Sequence, residues 1–320
     1  MQPPPAPPDA AVARFARDLQ RLIGPLGDRR LGLAVSGGPD SVALLLLAHA
    51  AFPAQIDAAT VDHGLRPESK AEAAFVAKLC TALQVPHAML AIAMPEGGNL
   101  PATARDLRYE ALQGWAQERK LSWFATAHHA DDQLETLVMR LNRASGLPGL
   151  SGIRTLNPPV VRPLLRWRRA ELVEIIAASG IEVVDDPTNR DTRFDRARLR
   201  AQLANADIFD PRAVARSVEA LQHADAALDW AVTEFARHLV MPLDDGVLLD
   251  RALFDIPAEL ERRLLLHALR RVEPGLTPRG DALAAFRNRL REGSPAMLGI
   301  VLARPGPDGI TLTAAPPRRG

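Results

Sequence analysis

A short loop near the start of the chain has the composition of a phosphate-binding site. Residues 36–41 read SGGPDS, between the apolar run LGLAV and an apolar stretch that predicts a helix. Two glycines let the backbone close around a bound group, and the N–H groups at a helix start favour a phosphate. The carboxylate of Asp40 suits a bare phosphate poorly, so a bridging Mg²⁺ is indicated. The phosphate-binding residues expected here are Ser36, Gly37, Gly38, Pro39, Asp40 and Ser41.

A pair of carboxylates is predicted on one face of a later helix. Asp132 and Glu135 are three residues apart, a spacing that places both on one side of a helix. They follow His128 and His129 at the end of an apolar strand. Such a pair could hold Mg²⁺ or an ammonium group, or form a solvated face, and the position after a strand favours a site. We expect Asp40 and Asp132 to be the metal ligands, and His128 rather than His129 to contact substrate or nucleotide.

Further polar residues belong to the same predicted strands and helices. Asp62, His63 and Arg66 come at the end of the second predicted strand. Arg105 and Arg108 give the third predicted helix one basic face, which could also be an ion-paired surface.

A basic segment follows the region that carries these motifs. Residues 151–200 contain 10 arginines and 7 acidic residues, and the run RARLR closes this segment. Binding to an RNA backbone is largely neutralisation of phosphates, so the run suits RNA. Ion pairing with the nearby aspartates is the alternative. The RNA-binding residues expected here are Arg193, Arg196, Arg198 and Arg200.

The elements that must position these residues follow a regular order. Short apolar runs alternate with predicted helices four times before residue 142, which predicts a parallel, doubly wound α/β sheet with helices on both faces. Residues 1–27 read as a Pro-rich tail and a helix, 28–205 as the α/β domain, and 206–320 as a smaller, mainly helical domain that ends in a hairpin. The four tryptophans are scattered, which indicates core packing rather than a stacking platform.

Composition excludes several classes of protein. The 320 residues are 47% hydrophobic and 24% charged with a net charge of +1, as in globular proteins. Lysine occurs at only three positions, so arginine supplies 36 of the 39 basic residues. This excess of arginine reflects either codon bias or a role in binding phosphate. The single cysteine, Cys80, excludes a CxxC pair and suits a reducing cytoplasm. We expect neither a signal peptide nor a membrane span.

Taken in order, the motifs resemble those of one enzyme family. SGGPDS resembles the pyrophosphate loop of the N-type ATP pyrophosphatases. VDHGLR (61–66), ARDLRY (104–109), HHADDQLET (128–136), SGLPGL (145–150), RPLL (162–165), DPTN (186–189) and RARLR (196–200) follow it. Together they resemble the tRNA(Ile)-lysidine synthetases, a family within that superfamily. Ala197 stands where that family usually has Asn.

The resemblance implies a substrate, a cofactor and roles for these residues. Members ligate L-lysine to C2 of the wobble cytidine of a CAU-anticodon tRNA(Ile), with ATP and Mg²⁺, through an adenylated cytidine. It implies nucleotide binding by Asp62 and His63. It also implies catalysis by Asp40, Asp132, Glu135, His128, Arg105 and Arg108.

Two alternatives remain open from the sequence. One is another adenylating tRNA-modifying enzyme of the thiolase type, which the lack of a second cysteine disfavours. The other is a non-catalytic RNA-binding protein, which the intact carboxylates disfavour.

Overall fold

The computed structural model describes residues 2–62, 67–93, 100–183, 195–204 and 208–315. The chain forms two compact units, Met1–Gln222 and His223–Gly320, and the division falls within one long helix. In the part of the chain that the structure describes, no helix is long and apolar enough to cross a membrane.

The first unit is built on a six-stranded sheet of order β3-β2-β1-β4-β6-β5. All neighbouring strands are parallel except β5 and β6. The strands are β1 (Leu31–Ala34), β2 (Ile56–Asp62), β3 (His87–Ala91), β4 (Phe124–Ala125), β5 (Leu156–Asn157) and β6 (Val160–Val161). The parallel α/β fold that the alternating pattern predicts is confirmed.

Helices cover both faces of this sheet. They are α1 (Asp9–Ile23), α2 (Pro39–Ala51), α3 (Pro67–Ala82), α4 (Leu100–Glu118), α5 (Ala130–Leu141), α6 (Leu147–Leu150), α7 (Arg169–Ser179), α8 (Asp195–Ala204) and α9 (Pro211–Leu239). One core joins α1, α2, α3 and α7, and another joins α4 to the strands. Close packing explains Gly32 in β1, because a Cβ there would lie 2.9 Å from atoms of Trp115 and Phe124. The doubly wound arrangement is thus confirmed.

The second unit combines helices with an antiparallel sheet of order β7-β8-β11-β10-β9. Its elements are β7 (Val240–Leu243), β8 (Gly246–Leu249), α10 (Ala258–Val272), α11 (Gly280–Arg291), β9 (Ala296–Leu298), β10 (Val301–Gly306) and β11 (Gly309–Ala314). The predicted terminal hairpin is β10–β11. The sequence did not predict β7, β8 and β9, which are short, and β7 contains Pro242 at a sheet edge.

The tryptophans divide between core and surface. Trp115 and Trp167 are buried in the two cores of the first unit, as predicted. Trp230 is 68% exposed, so the expectation of core packing was wrong for this residue. It lies on α9, whose 3.6-residue periodicity places it away from the apolar stripe.

Candidate active site

Two loops meet at the carboxyl ends of β1 and β4. These strands are neighbours in the sheet, although the chain reaches β4 only after forming β2 and β3. Such a reversal of strand order opens a crevice in which ligands bind. Residues 36–41 follow β1, and His128 and His129 follow β4. The topology therefore brings the two strongest chemical motifs of the sequence together.

The loop of residues 36–41 is closed by its own hydroxyl groups. Ser41 Oγ donates to the carbonyl of Gly38 at 2.9 Å and accepts the N–H of Ser36 at 3.1 Å. Gly37 has a φ of +92°, a region that favours glycine. Gly38 is the N-cap of α2, and Pro39 opens the helix. The N–H groups of Ser41 and Val42 donate to the Gly38 carbonyl, and the positive end of the helix dipole faces the loop. This geometry suits an anion.

Asp40 in the first turn of α2 faces two other elements. Its Oδ2 lies 3.6 Å from His129 Nε2, and its Oδ1 lies 4.0 Å from Arg169 Nε. Oδ1 is buried and has no hydrogen-bond partner among the described residues. Burial raises the pKa of Asp40, but the nearby His129 and the positive charges of Arg169 and Arg200 hold that pKa below its ordinary value. Asp40 is therefore an ionised carboxylate with one oxygen available to a cation.

His129 connects this loop to α5. It is the N-cap of the helix: its Nδ1 accepts the N–H of Asp132, while its own N–H donates to Asp132 Oδ2. Its Nε2 then lies 3.6 Å from Asp40 and 3.4 Å from Asp132. Burial lowers the pKa of His129, but the carboxylates of Asp40, Asp132 and Asp131 outweigh it and raise the pKa above its ordinary value. The structure thus places His129, not His128, between the two predicted metal ligands.

Arg200 faces the predicted carboxylate pair. Its Nε donates to Glu135 Oε1 at 2.6 Å, and its Nη2 donates to Glu135 Oε2 at 3.0 Å and Asp132 Oδ1 at 3.5 Å. Burial lowers the pKa of Arg200, but these carboxylates raise it above its ordinary value overall. The two carboxylates therefore share one guanidinium. The sequence indicated RNA contact for Arg200 and gave no sign of this pairing, which joins residues 65 positions apart.

A second pair of arginines, Arg168 and Arg169, also belongs to the site. Asp131 Oδ2 accepts the backbone N–H of Arg169 at 2.8 Å, and the Arg168 guanidinium lies 3.3 Å from Asp131 Oδ1. These contacts hold the start of α7 against α5. The buried Nε of Arg169 has no hydrogen-bond partner in the described part of the chain. Sequence reasoning missed both residues, and only the RWRR run before a predicted helix pointed to them.

His128 and Arg105 line a polar cavity of about 490 Å³ in the first unit. His128 Nδ1 lies 2.9 Å from Thr126 Oγ1, and Arg105 stacks over the Tyr109 ring at 5.2 Å. Arg108 is half-buried on the same helix as Arg105. Burial lowers the pKa of Arg108, and the like charge of Arg105 adds to this effect. The structure therefore places His128 and Arg105 at one cavity, and their predicted catalytic roles stay predictions.

The remaining predicted residues are placed only in part. Asp62 is half-buried at the end of β2, on the same edge of the sheet as the site. His63, Arg66 and Arg193 lie outside the described residues, as does the side chain of Arg196. Arg198 is exposed on α8. The roles predicted for these residues stay predictions.

Comparison with known proteins decides the family. Residues 12–207 match the PP-loop domain. A tRNA(Ile)-lysidine synthase of Novosphingobium aromaticivorans is 44% identical over 91% of this chain and 90% of its own length. One of Zymomonas mobilis is 38% identical over 93% and 92%.

The chain belongs to the tRNA(Ile)-lysidine synthase family.

As a member of the tRNA(Ile)-lysidine synthase family, the protein is an ATP-dependent ligase that modifies tRNA. Among solved structures, the U34-tRNA thiolase NcsA of Methanococcus maripaludis resembles it, with a TM-score of 0.55 and 15% identity over 67% of this chain and 81% of the thiolase. That likeness concerns the fold alone.

Proposed function

We propose that the protein ligates L-lysine to C2 of the wobble cytidine of a CAU-anticodon tRNA(Ile), in two steps at the site described above. One observation carries this proposal. His129 joins the phosphate-type loop at Asp40 to the carboxylates of α5, so an adenylation site and an amine site adjoin.

The first step transfers the adenylyl group of ATP to the cytidine. The C2 oxygen attacks the α-phosphorus, a new O–P bond forms, and the bond between the α-phosphorus and the bridging oxygen breaks. The departing pyrophosphate takes the electron pair of that bond. The N–H groups at the start of α2 and the hydroxyls of Ser36 and Ser41 bind the pyrophosphate. Arg169 adds a positive charge beside Asp40, which stabilises the charge that develops on the leaving group.

The residues present fit a magnesium ion. The unpartnered, buried Oδ1 of Asp40 supplies one oxygen, and Asp132 supplies a second carboxylate. Among the described residues, no three His, Cys, Asp or Glu side chains form a metal cluster, so triphosphate oxygens and water must complete the coordination, as is usual for Mg²⁺. When bound, the ion neutralises phosphate charge during departure of pyrophosphate.

The second step joins lysine to the activated base. The neutral ε-amine attacks C2, a C–N bond forms, and AMP leaves with the former C2 oxygen. Asp132 and Glu135, which share the Arg200 guanidinium, supply the carboxylates that bind the lysine ammonium. One of Asp132, Glu135 and His128 accepts the proton that the amine must lose. Arg105 and Arg108 provide positive charge at the same site.

RNA contact along α8 completes the proposal. Arg198 is exposed on this helix, whereas Arg200 on the same helix reaches the carboxylates. An RNA strand that contacts Arg198 would therefore pass close to the reacting groups, and Arg193 and Arg196 remain predicted RNA contacts. Further contacts with the tRNA come from the C-terminal domain. We also place the reaction in the cytoplasm.

A thiolase-type reaction fits the chain less well. Cys80 is its single cysteine and is fully buried in the first core. Burial raises the pKa of the Cys80 thiol to about 12, so a reactive thiolate is not available.

Separation of the two steps tests the proposal. With tRNA and ATP but no lysine, we expect release of pyrophosphate and an adenylated tRNA. Addition of lysine should then release AMP. Pyrophosphate release that requires lysine but not tRNA would mean that lysine itself is adenylated, and would contradict the proposed order.

A further inference from the structure

The cavity beside His128, here called the arginine cleft, has an unusual charge. Among the residues that the structure describes, its lining includes Arg105, Arg140, Arg143, Arg154 and Arg162, and no aspartate or glutamate. Guanidinium groups are planar, always charged and matched in geometry to phosphate oxygens. Five guanidinium groups line this cavity, whose volume is about 490 Å³, and an anion bound there would reduce the repulsion between them.

Arg162 independently indicates an anion. Its side chain is buried, with a residue exposure of only 5%. Its Nη1 donates to the Arg154 carbonyl at 2.7 Å, and its Nη2 approaches the Tyr109 hydroxyl at 3.4 Å. Its Nε has no hydrogen-bond partner in the described chain. Because leaving a buried charged donor unpaired is costly, the contacts of Arg162 are incomplete without a ligand.

Arg140 and Arg143 form the outer wall of the arginine cleft. Both are exposed at the end of α5, and neither side chain forms an ion pair or hydrogen bond with a described residue. The helix dipole favours a positive charge at this helix end. The helix dipole does not explain why Arg105 and Arg154, which belong to other elements, also line the arginine cleft.

The floor of the arginine cleft is rigid. Gln133 Nε2 donates to the Ile153 carbonyl at 2.9 Å, and the Ile153 N–H donates to Gln133 Oε1 at 2.7 Å. Gly152 has a φ of +58°, and a Cβ there would lie 2.6 Å from Gln133 Oε1. The segment before Arg154 is therefore held against α5, which arranges the guanidiniums before a ligand arrives.

We propose that the arginine cleft binds backbone phosphates of the tRNA next to the reacting nucleotide. The proposal rests on the proposed function, because His128 in the cleft adjoins His129, which contacts Asp40. The number of positive charges in the arginine cleft favours an RNA backbone, rather than the carboxylate of lysine, as its ligand. One carboxylate contacts only one or two guanidinium groups, whereas successive phosphates of an RNA strand contact several.

Substitution of Arg140 and Arg143 tests this proposal. We expect the double variant Arg140→Ala, Arg143→Ala to bind a tRNA(Ile) transcript about tenfold more weakly at moderate salt. The slope of log affinity against log salt should fall by about 1.4, or about 0.7 for each lost phosphate contact. The KM values for lysine and ATP should change less than about twofold, and Arg143→Lys should retain most of the affinity because it keeps the charge.

Arg17→Ala is the control for loss of an exposed arginine outside the arginine cleft. Arg17 is exposed on α1 and forms no side-chain ion pair with a described residue, so its loss should leave tRNA binding unchanged. Unchanged tRNA affinity and salt slope in the double variant would overturn the proposal. So would a rise in the KM for lysine alone, which would make the cleft a carboxylate subsite.

Binding without turnover separates this proposal from the proposed function. If the wild-type protein formed no lysidine but the double variant still lost tRNA affinity, the reaction assignment would fail and the phosphate cleft would stand.

Discussion

The arginines of the arginine cleft differ in their contacts from the structural arginines of the second unit. In the second unit, Arg263 contacts Asp225, Asp229 and Glu259 at 2.6–2.8 Å, and Arg291 lies 2.7 Å from the fully buried Glu261. In the described part of the first unit, no carboxylate lines the arginine cleft. The difference teaches that an Arg-rich composition does not reveal function. The contacts of each arginine do reveal its function. A guanidinium that is paired with carboxylates supports the fold, whereas one that is not paired with them can bind a ligand.

The comparison is sharpest at Asp40, the carboxylate of the first unit that keeps a buried oxygen without a partner. We expect Asp40→Ala to reduce lysine incorporation by about a thousandfold or more, which corresponds to about 4 kcal/mol of activation free energy. Affinity for tRNA should change little, because the proposed contacts with the RNA backbone are made by arginines and not by Asp40. Steady-state kinetics and filter binding on the same preparation measure both. Turnover equal to that of the wild type would remove Asp40 from the mechanism.

Loss of a structural arginine in the second unit should change stability rather than binding. Arg263→Met leaves Asp225 buried without its cation, since that carboxylate is only 1% exposed. We expect the free energy of unfolding of this unit to fall by about 3 kcal/mol. Chemical denaturation measures the loss, with tRNA affinity measured at a temperature where the variant is folded. A variant of wild-type stability with weakened tRNA binding would reverse the roles assigned to the two regions.

His129 should make the stability of the first unit depend on pH. Its folded pKa is raised, so its charge stabilises the fold below its ordinary pKa of about 6.5, and this contribution is lost as pH rises through the folded pKa. His129→Asn keeps an N-cap acceptor but does not titrate. The stability advantage of the wild type over this variant should therefore be larger at pH 6 than at pH 8.5, as measured by urea unfolding. A constant difference would show that the ring does not gain charge stabilisation from Asp40, Asp131 and Asp132.

Trp230 should give the smallest effect. It is 68% exposed, so Trp230→Ala should change the free energy of unfolding by less than about 0.5 kcal/mol. Thermal unfolding of this variant measures the effect. A loss of several kcal/mol would indicate that Trp230 packs in a hydrophobic core, which contradicts its exposure in the structure.

Much of the first unit could be predicted from the sequence, because its signals are local. The buried strand β1, the SGGPDS loop and the apolar helix α2 are continuous in sequence, and the alternation of strands and helices determines the parallel sheet. The residues expected at the carboxyl edge follow directly from this order. Asp40 and Asp132 do converge, because β1 and β4 are neighbours.

The rest could not be predicted, because it depends on contacts between distant residues. The pairing of Arg200 with Glu135 and the place of Arg169 beside Asp40 arise only when α5, α7 and α8 pack together. His129 is an uncommon N-cap residue, so its role had no strong signal. In the second unit, β9 has three residues and β7 contains a proline, and neither resembles a typical strand.

Incorporation of radiolabelled L-lysine into a CAU-anticodon tRNA(Ile) transcript, with ATP and Mg²⁺, tests the central claim most directly. We predict that lysine is incorporated at up to one molecule for each tRNA, and that a transcript with uridine in place of the wobble cytidine accepts none. Incorporation into the uridine transcript, or none into either while AMP and pyrophosphate still form, would contradict the proposed reaction.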